Sequence, residues 1–148
     1  MSSFWNHNIS ISIFGESHGP AIGVIMDNLP PGEYIDLEQL REFMARRAPR
    51  QDATSTHRKE ADLPSIMSGM LNNRTTGTPL MALIRNTDQH SKDYGNISHL
   101  ARPGHADYPG AMRYGGYNDY RGGGHFSGRL TAPLVFAGAV AKLIFPNC

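Results

Sequence analysis

Two histidines lie in glycine-flanked polar loops rather than in apolar runs: His18 in Gly15-Glu16-Ser17-His18-Gly19, and His105 in Arg102-Pro103-Gly104-His105-Ala106-Asp107. Free imidazole titrates near pH 6.5, so either ring can hand over a proton at neutral pH. At position 18 the spacing fits a proton donor and a turn histidine bonded to local backbone equally well. At position 105 the neighbours Arg102 and Asp107 favour chemistry, because an arginine beside an acid catalyst can hold an anionic leaving group.

A third constellation is Gly122-Gly123-Gly124-His125-Phe126-Ser127-Gly128-Arg129, which runs directly into an apolar segment. Backbone N–H groups and a guanidinium converging at a helix N-terminus suit a phosphate or a carboxylate. The loop lacks the Gly-x4-Gly-Lys-Ser/Thr pattern of a nucleotide P-loop. A flexible linker is the alternative, and Arg121 beside three glycines is faintly similar to RNA-binding arginine-glycine segments. His18, His105, His125 and Asp107 are metal-ligating types, but they lack the i, i+4 spacing of a metalloprotease site and have no cysteine partners, so no metal is expected. Arg46, Arg47, Arg50, Arg58 and Lys59 form either a solvated face or, with Arg102 and Arg129, a means of neutralising a multiply anionic substrate. Acid groups, arginines and the lack of an evident nucleophile or metal point to elimination or group transfer on a phosphorylated acid.

These residues need a scaffold. Ile9, Ile11 and Ile13 alternate with serines, predicting a strand that stops at Gly15, and Ala21–Asp27 predicts its partner. Ser17 and His18 then fall on the connection, at a sheet end rather than inside the core. Asp36 and Gln39 resemble a capping box before Leu37, Leu40, Phe43 and Met44, predicting a helix over Leu37–Arg47, where Pro49 discourages continuation. Residues 50–62 are polar and aperiodic and read as a loop. Residues 65–71 and 79–85 read as strands joined by a turn-rich stretch. Residues 86–127 show no period, which in a compact domain marks either function or a misread element. Thr131–Ile144 predicts a buried helix, with Thr131 as its cap and Pro133 in its first turn.

At 148 residues the chain is long enough for one domain with its own core. Its net charge of +1 sets up no global field for nucleic acid or membrane. Cys148 is the only cysteine, so no intramolecular disulfide can form, which fits a reducing, cytoplasmic setting. No apolar run approaches the roughly 20 residues of a membrane span, and Met1 to Asn8 lack an export pattern.

Taken together, Phe14-Gly15-Glu16-Ser17-His18-Gly19, Asn86-Thr87-Asp88-Gln89, Arg102-Pro103-Gly104-His105-Ala106-Asp107 and Asp119-Tyr120-Arg121-Gly122-Gly123-Gly124 strongly resemble the chorismate synthase family, in order and at similar spacing. The resemblance implies an α+β fold, a β-α-β sandwich forming homotetramers. It implies 1,4-anti elimination of phosphate from 5-enolpyruvylshikimate 3-phosphate to give chorismate, a shikimate-pathway step that needs reduced FMN, with NADPH as reductant in bifunctional members. It further implies that His18 serves protonation of the reduced flavin and His105 protonation of the departing phosphate. Ser17, Arg47, Arg102, Ser127 and Arg129 match positions that hold substrate, and His125, Phe126 and Ser127 match flavin contacts.

The chain departs from the family pattern in places. His125-Phe126-Ser127-Gly128-Arg129-Leu130-Thr131 stands where the family commonly has Arg-Ser-Ser-Ala-Arg-Glu-Thr, so Phe126 lacks a hydroxyl and His125 replaces an arginine. An arginine often found near Ala53 is missing, with Arg50 close by as its substitute. Family members are more than twice as long, and the aspartate they use for hydrogen removal lies in their C-terminal part. The expectation is therefore an N-terminal fragment, residues 1–148 of one larger domain, inactive by itself; a noncatalytic anion-binding module and an RNA-binding module are the competing readings.

Overall fold

The computed structural model describes residues 3–47, 62–87 and 100–146. The serine–isoleucine alternation forms β2 (Ser10–Gly15), flanked by β1 (Phe4–Asn6) and by β3 (Ala21–Asp27) in antiparallel register, Ile13 opposite Val24. After α1 (Leu37–Arg47) come β4 (Pro64–Ser68), a small hairpin of β5 (Met70–Leu71) and β6 (Arg74–Thr75), and β7 (Leu80–Arg85). The main sheet is antiparallel throughout, in the order β1-β2-β3-β7-β4. Two further helices follow, α2 (Asp107–Tyr114) and α3 (Thr131–Ile144).

Period two in the strands gives the sheet an apolar face of Ile13, Ile22, Val24, Met26, Leu80, Ala82 and Ile84, all buried. α3 lies across β3 and β7 on that face, with α1 beside it. Phe136 and Val140 are fully enclosed, and Leu40 and Met44 complete the layer from α1. Burying one such side chain contributes about 1.5–3 kcal/mol, so this two-layer contact stabilises the fold most. The opposite face carries Phe14, which lies over Gly23; a Cβ there would stand 2.5 Å from the ring. The described residues thus supply one sheet and one helical layer of an α+β architecture. The apolar composition of α3 follows from its burial, and its 14 residues fall short of the roughly 20 that span a bilayer.

The expected helix over Leu37–Arg47 forms with those bounds, and Asp36 caps it by accepting from the N–H groups of Glu38 (2.9 Å) and Gln39 (3.2 Å). Several expectations need correction. Residues 65–71 are two strands, because Gly69 sits at φ +79, where a Cβ would stand 2.3 Å from the Leu80 Cα and a side chain has no room. The expected turn between the 65–71 and 79–85 strands carries β6, which pairs with β5 through a hairpin at Asn72 and Asn73, both at positive φ as a tight hairpin requires. Thr131 is the first helical residue and not the cap: Leu130 holds that position, and the Thr131 hydroxyl donates to the Gly128 carbonyl at 2.6 Å.

The largest correction concerns residues 86–127, which contain α2. Pro109 and Gly110 hid the helix from its sequence. Pro109 is its third residue, where the missing N–H is one that a helix leaves unbonded anyway. Gly110 is small for packing: a Cβ would lie 2.9 Å from the Phe126 ring. A short 3-10 segment, Arg121–Phe126, carries the three glycines, and another, Gly128–Leu130, leads into α3 without a break.

Candidate functional site

β2 and β3 are joined by a turn that holds Ser17 and His18, 2% and 8% exposed. The turn is at a sheet end, as expected, yet it is covered. Ser17 N–H donates to the Gly124 carbonyl (3.0 Å), and Gly19 N–H to the Glu16 carbonyl (3.1 Å). From the end of β7, the Asn86 amide donates to the carbonyls of Glu16 (3.0 Å) and Gly19 (2.7 Å), clamping the turn on both sides of His18.

The glycines explain the cover. Gly122, Gly123 and Gly124 have φ of 57, 83 and 54, a left-handed run that other residues rarely adopt. A Cβ on Gly122 would collide with Cε1 and Nδ1 of His18, and one on Gly124 with the Asp119 carbonyl. The loop is therefore shaped to receive the imidazole, a role beyond the linker or anion loop expected from composition.

Arg129 and Arg47 meet at a buried carboxylate. Asp62, from the stretch read as a polar loop, accepts from Arg129 Nη1 through Oδ1 and from Arg47 Nη1 through Oδ2. Arg129 Nε also donates to Asn86 Oδ1 (3.1 Å), and Arg47 reaches Thr131 Oγ1 (3.2 Å) and the Gly128 carbonyl (3.3 Å) at the head of α3. Through Asn86 the turn that holds Ser17 and His18 is thereby joined to Arg129, and through Asp62 to Arg47, in one hydrogen-bonded assembly. Free N–H groups were expected at this helix start, and those leading into it are taken: Arg129 N–H donates to Ser127 Oγ (3.3 Å) and Leu130 N–H to the Ser127 carbonyl (3.0 Å).

His125 and Phe126 line a cavity of ≈ 840 Å³ with Phe14, Glu16, Tyr114 and Asn118 among its walls. His125 is held at both nitrogens, Nδ1 donating to the Gly15 carbonyl (2.7 Å) and Nε2 bonded to Ser3 Oγ (2.5 Å). Phe126 faces Tyr114 with ring centroids 6.1 Å apart. Glu16 is pushed above the usual carboxylate range by burial and by Asp119 beside it. Asp119 is held below that range by its hydrogen bonds from Arg121, so the Arg121 that suggested RNA is committed to a carboxylate.

The contacts that gather this assembly do not include His105, which is exposed on the turn leading into α2. Its loop is fixed by a fork between Arg102 and Asp107, with Nε to Oδ2 at 2.7 Å and Nη2 to Oδ1 at 3.0 Å. These bonds from Arg102 depress the Asp107 carboxyl to about 2. Among the described residues no three His, Cys, Asp or Glu side chains converge as metal ligands. Arg50 and Ala53, and Asp88 and Gln89 of one motif, lie outside the described residues.

Sequence reasoning missed Asp62 and the bridging task of Asn86. Asn86 and Asp119 did stand in family-like motifs, whereas Asp62 gave no signal beyond preceding an alternating run.

A family profile described as chorismate synthase matches residues 9–148. The chorismate synthase of Thermococcus kodakarensis is 52% identical over 134 residues, covering 90% of this chain and 38% of that protein. That of Ralstonia nicotianae is 56% identical over 133 residues, covering 90% of this chain and 36% of its own length. A crystal structure of chorismate synthase superposes with a TM-score of 0.65 at 26% identity, covering 95% of this chain and 35% of the other. The chain thus spans little more than a third of the relatives it matches. Its fold, its motifs and these matches agree: the chain belongs to the chorismate synthase family.

Proposed function

We propose that this chain supplies the proton-donor and anion-holding part of a chorismate synthase active site, which converts 5-enolpyruvylshikimate 3-phosphate to chorismate by 1,4-anti elimination of phosphate. One observation carries the reading: Arg47 and Arg129, from different elements, meet at the buried Asp62 carboxylate, and Asn86 ties Arg129 to the turn that holds Ser17 and His18.

Arg47 and Arg129 hold the substrate's phosphate or carboxylates by charge, with Ser17 and Ser127 adding hydroxyl donors. Arg102 is already paired with Asp107, so it offers hydrogen bonds rather than net charge and fixes the loop of His105. His105, exposed on that loop, donates a proton to the departing phosphate oxygen. His18, enclosed by the glycine loop, holds the proton destined for the flavin.

The aromatic cavity fits the ring system of FMN in size and character, whereas the FMN phosphate needs cations from elsewhere. His125 and Phe126, which line the cavity, would border the ring, Phe126 with its apolar ring and no hydroxyl, whereas Ser127 does not line it. Reduced FMN supplies transient electron donation when bound. Homotetrameric assembly, a cytoplasmic location and NADPH-dependent flavin reduction belong to the same proposal.

The test is anaerobic chorismate formation with reduced FMN, on the native polypeptide and on this 148-residue segment. Turnover by the native polypeptide, and its loss by about 10²- to 10⁴-fold in His105→Ala, is expected. Substrate binding without any chorismate from the native polypeptide would overturn the enzyme reading in favour of a noncatalytic anion-binding one.

A further inference from the structure

Resting on the flavin reading of the aromatic cavity, we infer that Ser3 is a positioning residue: its hydroxyl fixes the His125 ring so that position 125 serves the flavin ring system and not the flavin phosphate.

The two contacts of His125 use both of its nitrogens. Gly15 supplies a carbonyl, which only accepts, so Nδ1 carries a hydrogen (2.7 Å). Nε2 meets the Ser3 hydroxyl (2.5 Å), which donates to a neutral ring and accepts from a protonated one. In either state both nitrogens are spent on the protein, and the ring that lines the cavity meets an occupant through its carbon atoms and π face. Phe126 extends this wall, its ring nearly perpendicular to that of His125 with centroids 6.4 Å apart. Both anchors of the imidazole belong to one piece of sheet. The Ser3 carbonyl accepts from Ile13 N–H of β2 (2.8 Å), and Gly15 ends that strand at φ +97, where a Cβ would stand 2.5 Å from the Ala21 carbonyl.

A tether for the N-terminal segment has no need of this hydroxyl, because the backbone bond to Ile13 already holds Ser3. Ser3 also precedes residues 9–148, the part that matches the family profile, so its contact belongs to this chain rather than to the shared motifs. An arginine, which the family pattern commonly has at this position, grips a phosphate by charge and forked hydrogen bonds. An imidazole with both nitrogens engaged has no hydrogen to give, so its contribution is ring surface.

Equilibrium binding to the native polypeptide, followed by the fluorescence of oxidised FMN and of riboflavin, which has the ring system but no phosphate, tests this beside thermal unfolding. In Ser3→Ala the orphaned Nε2 turns toward other partners, and affinity for both flavins falls about fivefold, the worth of one ordinary hydrogen bond. The ratio of the two affinities stays as in wild type. Ser3→Thr keeps the hydroxyl and restores both.

A loss confined to FMN overturns the assignment, because position 125 then serves the phosphate. So do unchanged affinities beside a lower melting temperature, or failure of Ser3→Ala to fold, each of which marks a structural tether, and absence of recovery in Ser3→Thr. If wild type binds neither flavin, the flavin reading of the cavity fails first. Hydrogen–deuterium exchange at His125 Cε1, read by mass spectrometry, then decides the role of Ser3, with faster exchange in Ser3→Ala supporting it and equal exchange overturning it.

Discussion

Gly122 and His18 compete for one volume, which makes position 122 a control on the histidine without touching its chemistry. In Gly122→Ala the new methyl meets the imidazole and the backbone is strained at φ +57, so His18 must leave its place. Strain of this kind costs about 1–3 kcal/mol. The expected outcome is a lowered melting temperature together with activity reduced as far as in His18→Ala. Retention of more than half the wild-type rate would show that the enclosed position of His18 is irrelevant. At this scale the sequence was informative about identity and silent about neighbours. His18 stood out because glycine and polar residues flank it. That Gly122 is its partner, across more than a hundred residues, requires the fold.

The elements show where periodicity speaks and where it is masked. Helix α1 and strand β3 were legible to the residue, because alternation and the 3.6 period are direct consequences of facing one apolar layer. Helix α2 was illegible, since Pro109 and Gly110 read as breakers while only Gly110 is buried. Asp107, its first residue, ties the helix to the His105 loop through Arg102. The Asp107 carboxyl has a folded pKa of about 2 against about 3.8 unfolded. A depressed acid stabilises the fold fully above its unfolded value and loses that contribution as pH falls through the folded one. Thermal melts of wild type and Asp107→Asn should therefore differ most above pH 3.8 and converge as pH approaches 2. A difference that grows on acidification would contradict the Arg102–Asp107 pairing.

Across the whole molecule, the burial of α3 was anticipated from composition, whereas its packing on the sheet and the polar assembly were not. Composition fixes which faces must be buried; it says nothing of which carboxylate meets which arginine when both lie in aperiodic stretches. Asp62 illustrates the gap, being indistinguishable in sequence from the other polar residues of its stretch. The assembly also spans long stretches of chain: Asn86 to Glu16 closes 70 residues, Arg129 to Asp62 closes 67, and His125 to Ser3 closes 122. Loops of that length must close before such contacts can reward the chain, whereas the β2–β3 hairpin forms locally. Time order therefore follows from the same bonds that place the histidine. Removing the Asn86 clamp by Asn86→Ala should accelerate unfolding and leave the refolding arm of the chevron in place, whereas Val24→Ala, within the hairpin and core, should slow refolding. Equal slowing of refolding by both variants would refute that order. A clamp that closes after the barrier is also the first to open, so the reactive end of the molecule can loosen while its hydrophobic layers stay shut.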